Sequence, residues 1–410
     1  MDLFEKCKGF YSDPAVAQKY GYPTNPRTAQ AMGLFPYFIP IEHAEGTEVF
    51  IGGKKYIMIG SNNYVGLTNH PKVKEAAIEA VKKYGTSCTG SRFLNGTLDL
   101  HIQLEERLAK YTGKEATLVF STGFQVNLGS IPAVMDRDDI IICDKEVHAS
   151  IIDGVRMAKV LKSCHLRTYK HNDPADLEAV LKTLPHEPAK LVIVDGVFSM
   201  GGDIAKLPEL IPICRKYGAR FMSDDAHALG VIGGGRGTGW HFGLQDQVDL
   251  IMGTFSKSFA SVGGFIAGTK EVVHFIQMFA RPFMFSASLP PSNVATVLAC
   301  LDVLEKEPER VERVNKIADR VRSELRGMGY NIGDSQTPII PIVIGDMMKA
   351  LEAWKVFFNE GIYTNVALPP SVPPEFSCLR TSYMATHTDA QVDRVLEVFK
   401  KVKDLVHIGA

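Results

Sequence analysis

Short, continuous apolar runs alternate with helix-patterned segments through the middle of this chain. The candidate strands are residues 117–120, 140–144, 191–195, 220–223, 250–253 and 265–267. The segments between them, such as 173–184 and 207–217, repeat apolar residues at helical spacing. Strands with no polar face must be covered on both sides, so the pattern predicts an α/β fold. Its centre would be a mostly parallel sheet with helices on both faces. Upstream, 71–84 reads as a helix with Pro71 at its first position and Gly85 past its last. Residues 98–111 read as another, with Leu100, Leu104 and Leu108 in register. Segments 48–51 and 55–59 flank Gly52-Gly53 and predict a hairpin. A long helical stretch begins at 293–305. After it, strands near 339–344 and 379–382 alternate with helices. Residues 388–406 form a closing amphipathic helix with Thr388 and Gln391 placed for a capping box. The organisation predicted is an N-terminal arm (1–55, rich in Pro, Gly and aromatics), a large domain (56–295) and a smaller α+β C-terminal domain (296–410).

Composition narrows the function. The chain has 410 residues, a formal net charge of −1 and 45% hydrophobic residues, which suits a globular enzyme with one large core and a satellite. Near-neutral charge gives no electrostatic reason to expect nucleic acid or an anionic membrane surface. Seven scattered cysteines without a C-x-x-C fit a reducing cytosol and argue against disulfides or a structural zinc; no metal is expected. The first ten residues, MDLFEKCKGF, carry early acids and no apolar core of a signal peptide, and no apolar run nears membrane-span length. A cytoplasmic enzyme without a transmembrane segment is expected.

The polar residues that follow the strands carry the chemistry. Residues 117–120 run into Ser121-Thr122-Gly123-Phe124, and 140–144 precede His148. Residues 191–195 lead to Ser199, 220–223 run into Asp224-Asp225-Ala226-His227, and 250–253 into Thr254-Phe255-Ser256-Lys257. In an open parallel sheet, ligands sit at the carboxyl ends of strands, so these groups are predicted to converge on one crevice. A lysine whose pKa is lowered by burial or charge can form a Schiff base with an aldehyde. Thr254 and Ser256 can donate to a phosphate beside it. The set suits pyridoxal phosphate: Lys257 for the aldehyde, Asp224 for a protonated ring nitrogen, His148 for stacking and His227 for the phenolic oxygen. Backbone N–H groups at Gly123-Phe124, where the chain turns into a helix, suit the phosphate.

Three stretches, DGVFSMGGD (195–203), DDAHALGVIG (224–233) and GTFSKSFASVGG (253–264), closely resemble the α-oxoamine synthases. That family consists of fold-type-I pyridoxal-phosphate enzymes that join an amino acid to an acyl-CoA with loss of CO2. The resemblance runs from about Phe35 to Val406. It implies that Lys257 is the Schiff-base lysine, Asp224 the pyridinium partner, His148 the stacking residue and His227 the phenolate partner. It also implies phosphate ligands at Gly123, Phe124, Thr254 and Ser256, a further cofactor contact at Ser199, and Ser286 lent by the other subunit of a homodimer. Asn63 and Arg380 match positions near the substrate carboxylate. Within the family, TGSRFLNGTLDLHIQLEERL (89–108) and LRTSYMATHT (379–388) most resemble the soluble, homodimeric bacterial serine palmitoyltransferases. That group would condense L-serine with a long-chain acyl-CoA, palmitoyl-CoA, to 3-oxosphinganine. The apolar 283–285 triplet beside Ser286 suits a long acyl chain. One departure stands out: where many members carry an arginine before Pro-Pro, this chain has Leu368. Arg380 would then carry more of the carboxylate contact.

Two rivals are set against this reading. One is another α-oxoamine synthase, such as 8-amino-7-oxononanoate synthase or glycine C-acetyltransferase. The other is a silent scaffolding subunit, a class that typically lacks the lysine that is present here at 257. A P-loop NTPase is excluded because 233–237 (GGGRG) lacks the G-K-[ST] ending. A Ser-x-x-Lys acyl transferase is disfavoured because Thr254 stands three before Lys257.

Overall fold

In the computed structural model, which describes residues 2–406, the chain forms two compact units. The larger comprises residues 63–199 and 203–313; the other comprises the described residues up to 62, residues 200–202 and the described residues from 314 on. This differs from the sequence-based division. The boundary falls after Arg313 rather than near 295, and the N-terminal residues cluster with the C-terminal ones. The arm also contains three short helices, Glu5–Ser12, Pro14–Lys19 and Pro26–Ala31.

A seven-stranded sheet centres the larger unit. Its spatial order is Ala116–Phe120, Gly264–Gly268, Leu250–Thr254, Ala219–Asp224, Lys190–Asp195, Ile140–Asp144 and His165–Tyr169. Only Gly264–Gly268 runs against its neighbours; the other pairings are parallel. Successive strand residues go to opposite faces, and the core divides accordingly. Ile140, Ile142, Val192, Val194 and Phe221 join one cluster; Ile141, Cys143, Leu191, Ile193 and Met222 join another. Leu104 and Leu108 of helix Asp99–Thr112 and Val294 and Leu301 of helix Pro291–Lys306 cover the first face. Helices Gly123–Val134 and Ala149–Lys162 cover the second through Val126, Ile131, Ile151 and Val155. The central strands Ile140–Asp144 and Lys190–Asp195 are buried along their whole length, so their sequences are nearly continuous apolar runs.

The edge strand His165–Tyr169 has no counterpart in the sequence-based set. Its side chains are largely outside the core, so its sequence, HLRTY, lacks an apolar run.

The smaller unit holds a three-stranded antiparallel sheet, Ile339–Val343, Cys378–Ser382 and Asn365–Ala367. Helices Met347–Asn359 and Asp389–Val406 contribute to its core. The predicted hairpin forms between Glu48–Ile51 and Lys54–Met58. Gly52 and Gly53 both take positive φ (56° and 69°), which a two-residue turn of this hand requires. The capping box is reciprocal: Thr388 N donates to Gln391 Oε1 at 3.1 Å and Gln391 N to Thr388 Oγ1 at 3.2 Å. Among the described residues no helix is long and apolar enough to cross a membrane, and no cluster of three or more His, Cys, Asp or Glu could hold a metal ion.

Candidate active site

The carboxyl ends of the central strands open on a cavity of about 270 Å³ within the larger unit. Gly123, Phe124, His148, Asp224, His227, Thr254, Ser256 and Lys257, each picked out from sequence, all line it. Ser199, Ser286 and Asn63 do not. Asn63 Nδ2 donates to Thr68 Oγ1 at 2.9 Å, and its Oδ1 accepts from Leu67 N at 3.0 Å. Ser286 Oγ accepts from Gln125 Nε2 of the same chain at 3.0 Å. Arg380 lies in the other unit, buried on strand Cys378–Ser382.

Two adjacent aspartates end strand Ala219–Asp224, and their surroundings separate them. Asp225 is tied down by the Ser223 hydroxyl (2.6 Å) and by the Thr238 N–H (2.8 Å) and hydroxyl (2.9 Å). It is a packing group, and its burial raises its pKa. Asp224 faces the cavity. Its Oδ1 accepts from Ala226 N at 3.0 Å and its Oδ2 from Asn127 Nδ2 at 2.8 Å.

His148 caps helix Ala149–Lys162. Its Nδ1 lies 2.7 Å from the Ser150 hydroxyl and 3.2 Å from the Ser150 N–H, so Nε2 is the nitrogen left for the cavity. Desolvation of the ring lowers its pKa; Asp224 opposes the shift and Lys257 reinforces it. Phe124 meets the ring edge to face, with centroids 6.4 Å apart. The backbone N–H of His148 donates to Asp195 Oδ1 at 3.1 Å. Burial and the neighbouring Asp224 hold the Asp195 carboxyl well above the usual carboxylate range.

Lys257 sits on a loop that returns as strand Gly264–Gly268. Phe255 N donates to Gly263 O, Ser261 N to Phe255 O and Ala260 N to Lys257 O, at 2.9–3.0 Å. Ala260 takes a left-handed φ of 51°, an uncommon conformation for a residue with a side chain. The loop thereby presents a half-buried Lys257 to the cavity.

The opposite wall fits an anion. Helix Gly123–Val134 begins with Thr122 as its cap and has no acid in its first turn. Its first N–H groups have no intrahelical acceptor. Thr254 Oγ1, at the end of strand Leu250–Thr254, lies 3.0 Å from Ser256 Oγ on the loop that follows. The approach is so close that a Cβ at Gly123 would lie 2.4 Å from Thr254 Oγ1, which explains the glycine. Amine, carboxylate, imidazoles and anion cradle together match the donors that a phosphorylated pyridine aldehyde requires.

Sequence reasoning passed over four residues. Asn127, Ser150 and Asp195 are buried, and Tyr64, fully buried, places its hydroxyl 2.7 Å from His227 Nδ1. A usable signal existed for Asn127, a polar residue in a largely apolar helical stretch, with GFQV before it and LGSIPAV after it. The 283–285 triplet is corrected: Phe283 packs into the core against Phe120, whereas Phe285 is exposed beside Arg281. It does not form one apolar wall. Leu368 is buried in the apolar cluster of the smaller unit.

The aminotransferase class I and II family model matches residues 54–399. Serine palmitoyltransferase of Sphingobacterium spiritivorum is 49% identical over 376 residues, covering 91% of this chain and 93% of that protein. The 8-amino-7-oxononanoate synthase of Thermoanaerobacter pseudethanolicus is 40% identical over 378 residues, covering 92% of this chain and 95% of its own. The solved serine palmitoyltransferase of Sphingomonas wittichii superposes with a TM-score of 0.92 at 36% identity, over the whole of both chains. A variant SPT solved with PLP gives 0.92 at 36% identity over 99% of this chain and 100% of that one.

Proposed function

The chain belongs to the aminotransferase class I and II family, in its fold-type-I α-oxoamine synthase branch, and from that premise we propose that it is a serine palmitoyltransferase. It would condense L-serine with a long-chain acyl-CoA, releasing CoA and CO2. The observation that carries this reading is the convergence of Lys257, Asp224, His148 and His227 on one cavity beside a helix N-terminus. The serine palmitoyltransferase relatives, at 49% identity, decide between it and the other family activities.

Pyridoxal phosphate bound there would supply an aldehyde and an electron-withdrawing ring. Lys257 would hold the aldehyde carbon covalently and move the proton at the amino acid's Cα. Asp224 would keep the ring nitrogen protonated. His148, presenting Nε2, would stack on the ring and orient the amino acid's carboxylate. His227 would hydrogen-bond the phenolic oxygen. Gly123, Phe124, Thr254 and Ser256 would bind the phosphate, with Ser199 a further contact. Ser286, outside the cavity of its own chain, would reach the phosphate of a second copy, making the enzyme a homodimer. Asn63 and Arg380 would meet the serine carboxylate, Arg380 bearing most of it because Leu368 is committed to an apolar cluster. The enzyme would work in the cytoplasm. The presence of Lys257, His148 and Asp224 together disfavours a silent subunit.

The test is a two-way panel of serine, alanine and glycine against acyl-CoAs of graded length, with products identified by mass. Serine with palmitoyl-CoA should be the most efficient pair. A buried acyl chain gains roughly 0.8 kcal/mol per methylene, which favours chains of about sixteen carbons over short ones. A site built for the serine hydroxyl is left with unpaired polar groups by alanine. Higher efficiency with alanine and a short dicarboxylic acyl-CoA would overturn the substrate assignment.

A further inference from the structure

Helices Gly123–Val134 and Ala149–Lys162 approach so closely that a Cβ at Gly154 would lie 2.7 Å from the Asn127 carbonyl oxygen. Ser150, one turn before Gly154 on the same face, is thereby brought to 2.9 Å between its Oγ and Asn127 Nδ2. The direction of each hydrogen bond here follows from one fixed donor. The backbone N–H of Ser150 can only donate, so His148 Nδ1 accepts. The Ser150 hydroxyl, 2.7 Å from that same nitrogen, then donates as well, and its lone pairs are left for Asn127. Asn127 therefore turns its NH2 toward Ser150, and its second amide hydrogen goes to Asp224 Oδ2. Ala226 N–H occupies Oδ1, so both Asp224 oxygens are acceptors. The arrangement leaves Asn127 Oδ1 buried without a hydrogen-bond partner among the described residues. Such an orphan is costly and calls for a compensating role. Asn127 is fully buried and does not line the cavity.

We propose that Asn127 is a positioning residue. Its two amide hydrogens hold Asp224 as a proton-free carboxylate and tie it, through Ser150, to the Nε2–H form of His148. This rests on the proposed function in one respect, that Asp224 faces a ring nitrogen. Protonating His148 at Nδ1 would sacrifice the Ser150 N–H bond and reverse the Ser150 hydroxyl. The chain of bonds therefore keeps the imidazole neutral, with Asp195, Asp224 and Lys257 the ionisable groups around it.

The experiment uses the full-length protein with ¹⁵N-labelled histidine, prepared with and without pyridoxal phosphate. In the wild type at neutral pH, His148 should show an unprotonated Nδ1 and a protonated Nε2, whether or not the cofactor is bound. Asn127→Asp, nearly isosteric, sets a second carboxylate against Asp224. It should weaken pyridoxal phosphate binding about tenfold or more, the effect of losing a charge-assisted hydrogen bond. The pH profile of that binding should gain a titration absent from the wild type. Asn127→Leu should weaken binding likewise and shift the His148 nitrogen signals. An Nδ1–H tautomer in the wild type would overturn the proposal. So would variants that fold, bind the cofactor as tightly as the wild type and leave His148 unshifted. A wild type that bound no pyridoxal phosphate would sink the functional reading instead, while the tautomer measurement would still decide the role of Asn127.

Discussion

Tyr64 steadies His227: its phenolic oxygen lies 2.7 Å from Nδ1, and the two rings meet at 61°. That contact holds the imidazole in place where it lines the cavity. Tyr64→Phe keeps the buried ring and removes only this hydroxyl. The thermal midpoint should move by a few degrees at most, while kcat/KM falls roughly tenfold, the equivalent of about 1.4 kcal/mol. Unchanged kcat/KM would show that His227 needs no such partner.

Lys257 should carry the cofactor. Borohydride treatment of the holoenzyme should fix pyridoxal phosphate to a peptide containing Lys257. Lys257→Ala should lose turnover by several orders of magnitude, as removal of a covalent nucleophile does. Mass mapping of the label to another lysine would refute the assignment.

The anion cradle depends on Gly123 lacking a side chain. In Gly123→Ala the new Cβ would lie 2.4 Å from Thr254 Oγ1 and 2.9 Å from Thr254 Cβ, which is fixed by a buried strand. Overpacking of this kind costs about 1–3 kcal/mol. The dissociation constant for pyridoxal phosphate should rise by roughly tenfold or more, read by absorbance titration. Ser256→Ala, at an exposed position, should weaken binding less. Equal affinity of Gly123→Ala and wild type would contradict the cradle.

A pH-dependent clamp lies beside the site. His171 Nδ1 is 3.0 Å from Asp144 Oδ1, and its Nε2 is 3.1 Å from Asp203 Oδ2 and 3.8 Å from Glu146. Burial pulls its pKa down, but the hydrogen bonds and charges of Asp144 and Asp203 outweigh this and raise it to about 10. In the unfolded chain it would be about 6.5. The folded state therefore holds this proton more tightly. The stabilisation is complete below about pH 6.5 and is lost as pH rises toward 10. The difference in thermal midpoint between wild type and His171→Gln should shrink across that window. A difference that stayed constant with pH would rule the clamp out.

Much of the sheet was legible because its strands are buried on both faces and so spell continuous apolar runs. Ile140–Asp144 matches its predicted bounds, and the other central strands differ by a residue or two. His165–Tyr169 escaped because an edge strand half in water has no such signature. The cavity residues were legible where a polar group broke an apolar run at a strand end, as at Asp224 and Lys257. Asn127 acts from inside a helix and Tyr64 from a buried turn, and their partners are remote in sequence: Asp224 for one, His227 for the other. The grouping of Leu34 and Ile59 with Val321 and Phe399 in one core is equally non-local, so no stretch of sequence announced the observed division into units.

The strand Ala116–Phe120 has a single neighbour in the sheet, Gly264–Gly268, which reaches it only after the other five strands in the chain. During synthesis on the ribosome the first strand of the sheet is therefore also the last to be paired. Until Gly268 has emerged, Ala116–Phe120 is an apolar segment without a β-partner, and the helix beginning at Gly123 is tethered to it. A nascent chain stalled before that point would expose a sticky strand, and one stalled before Thr254 would also lack that side of the anion cradle. Delayed long-range pairing of this kind slows folding and invites aggregation, so a chaperone's protection would matter most over that interval.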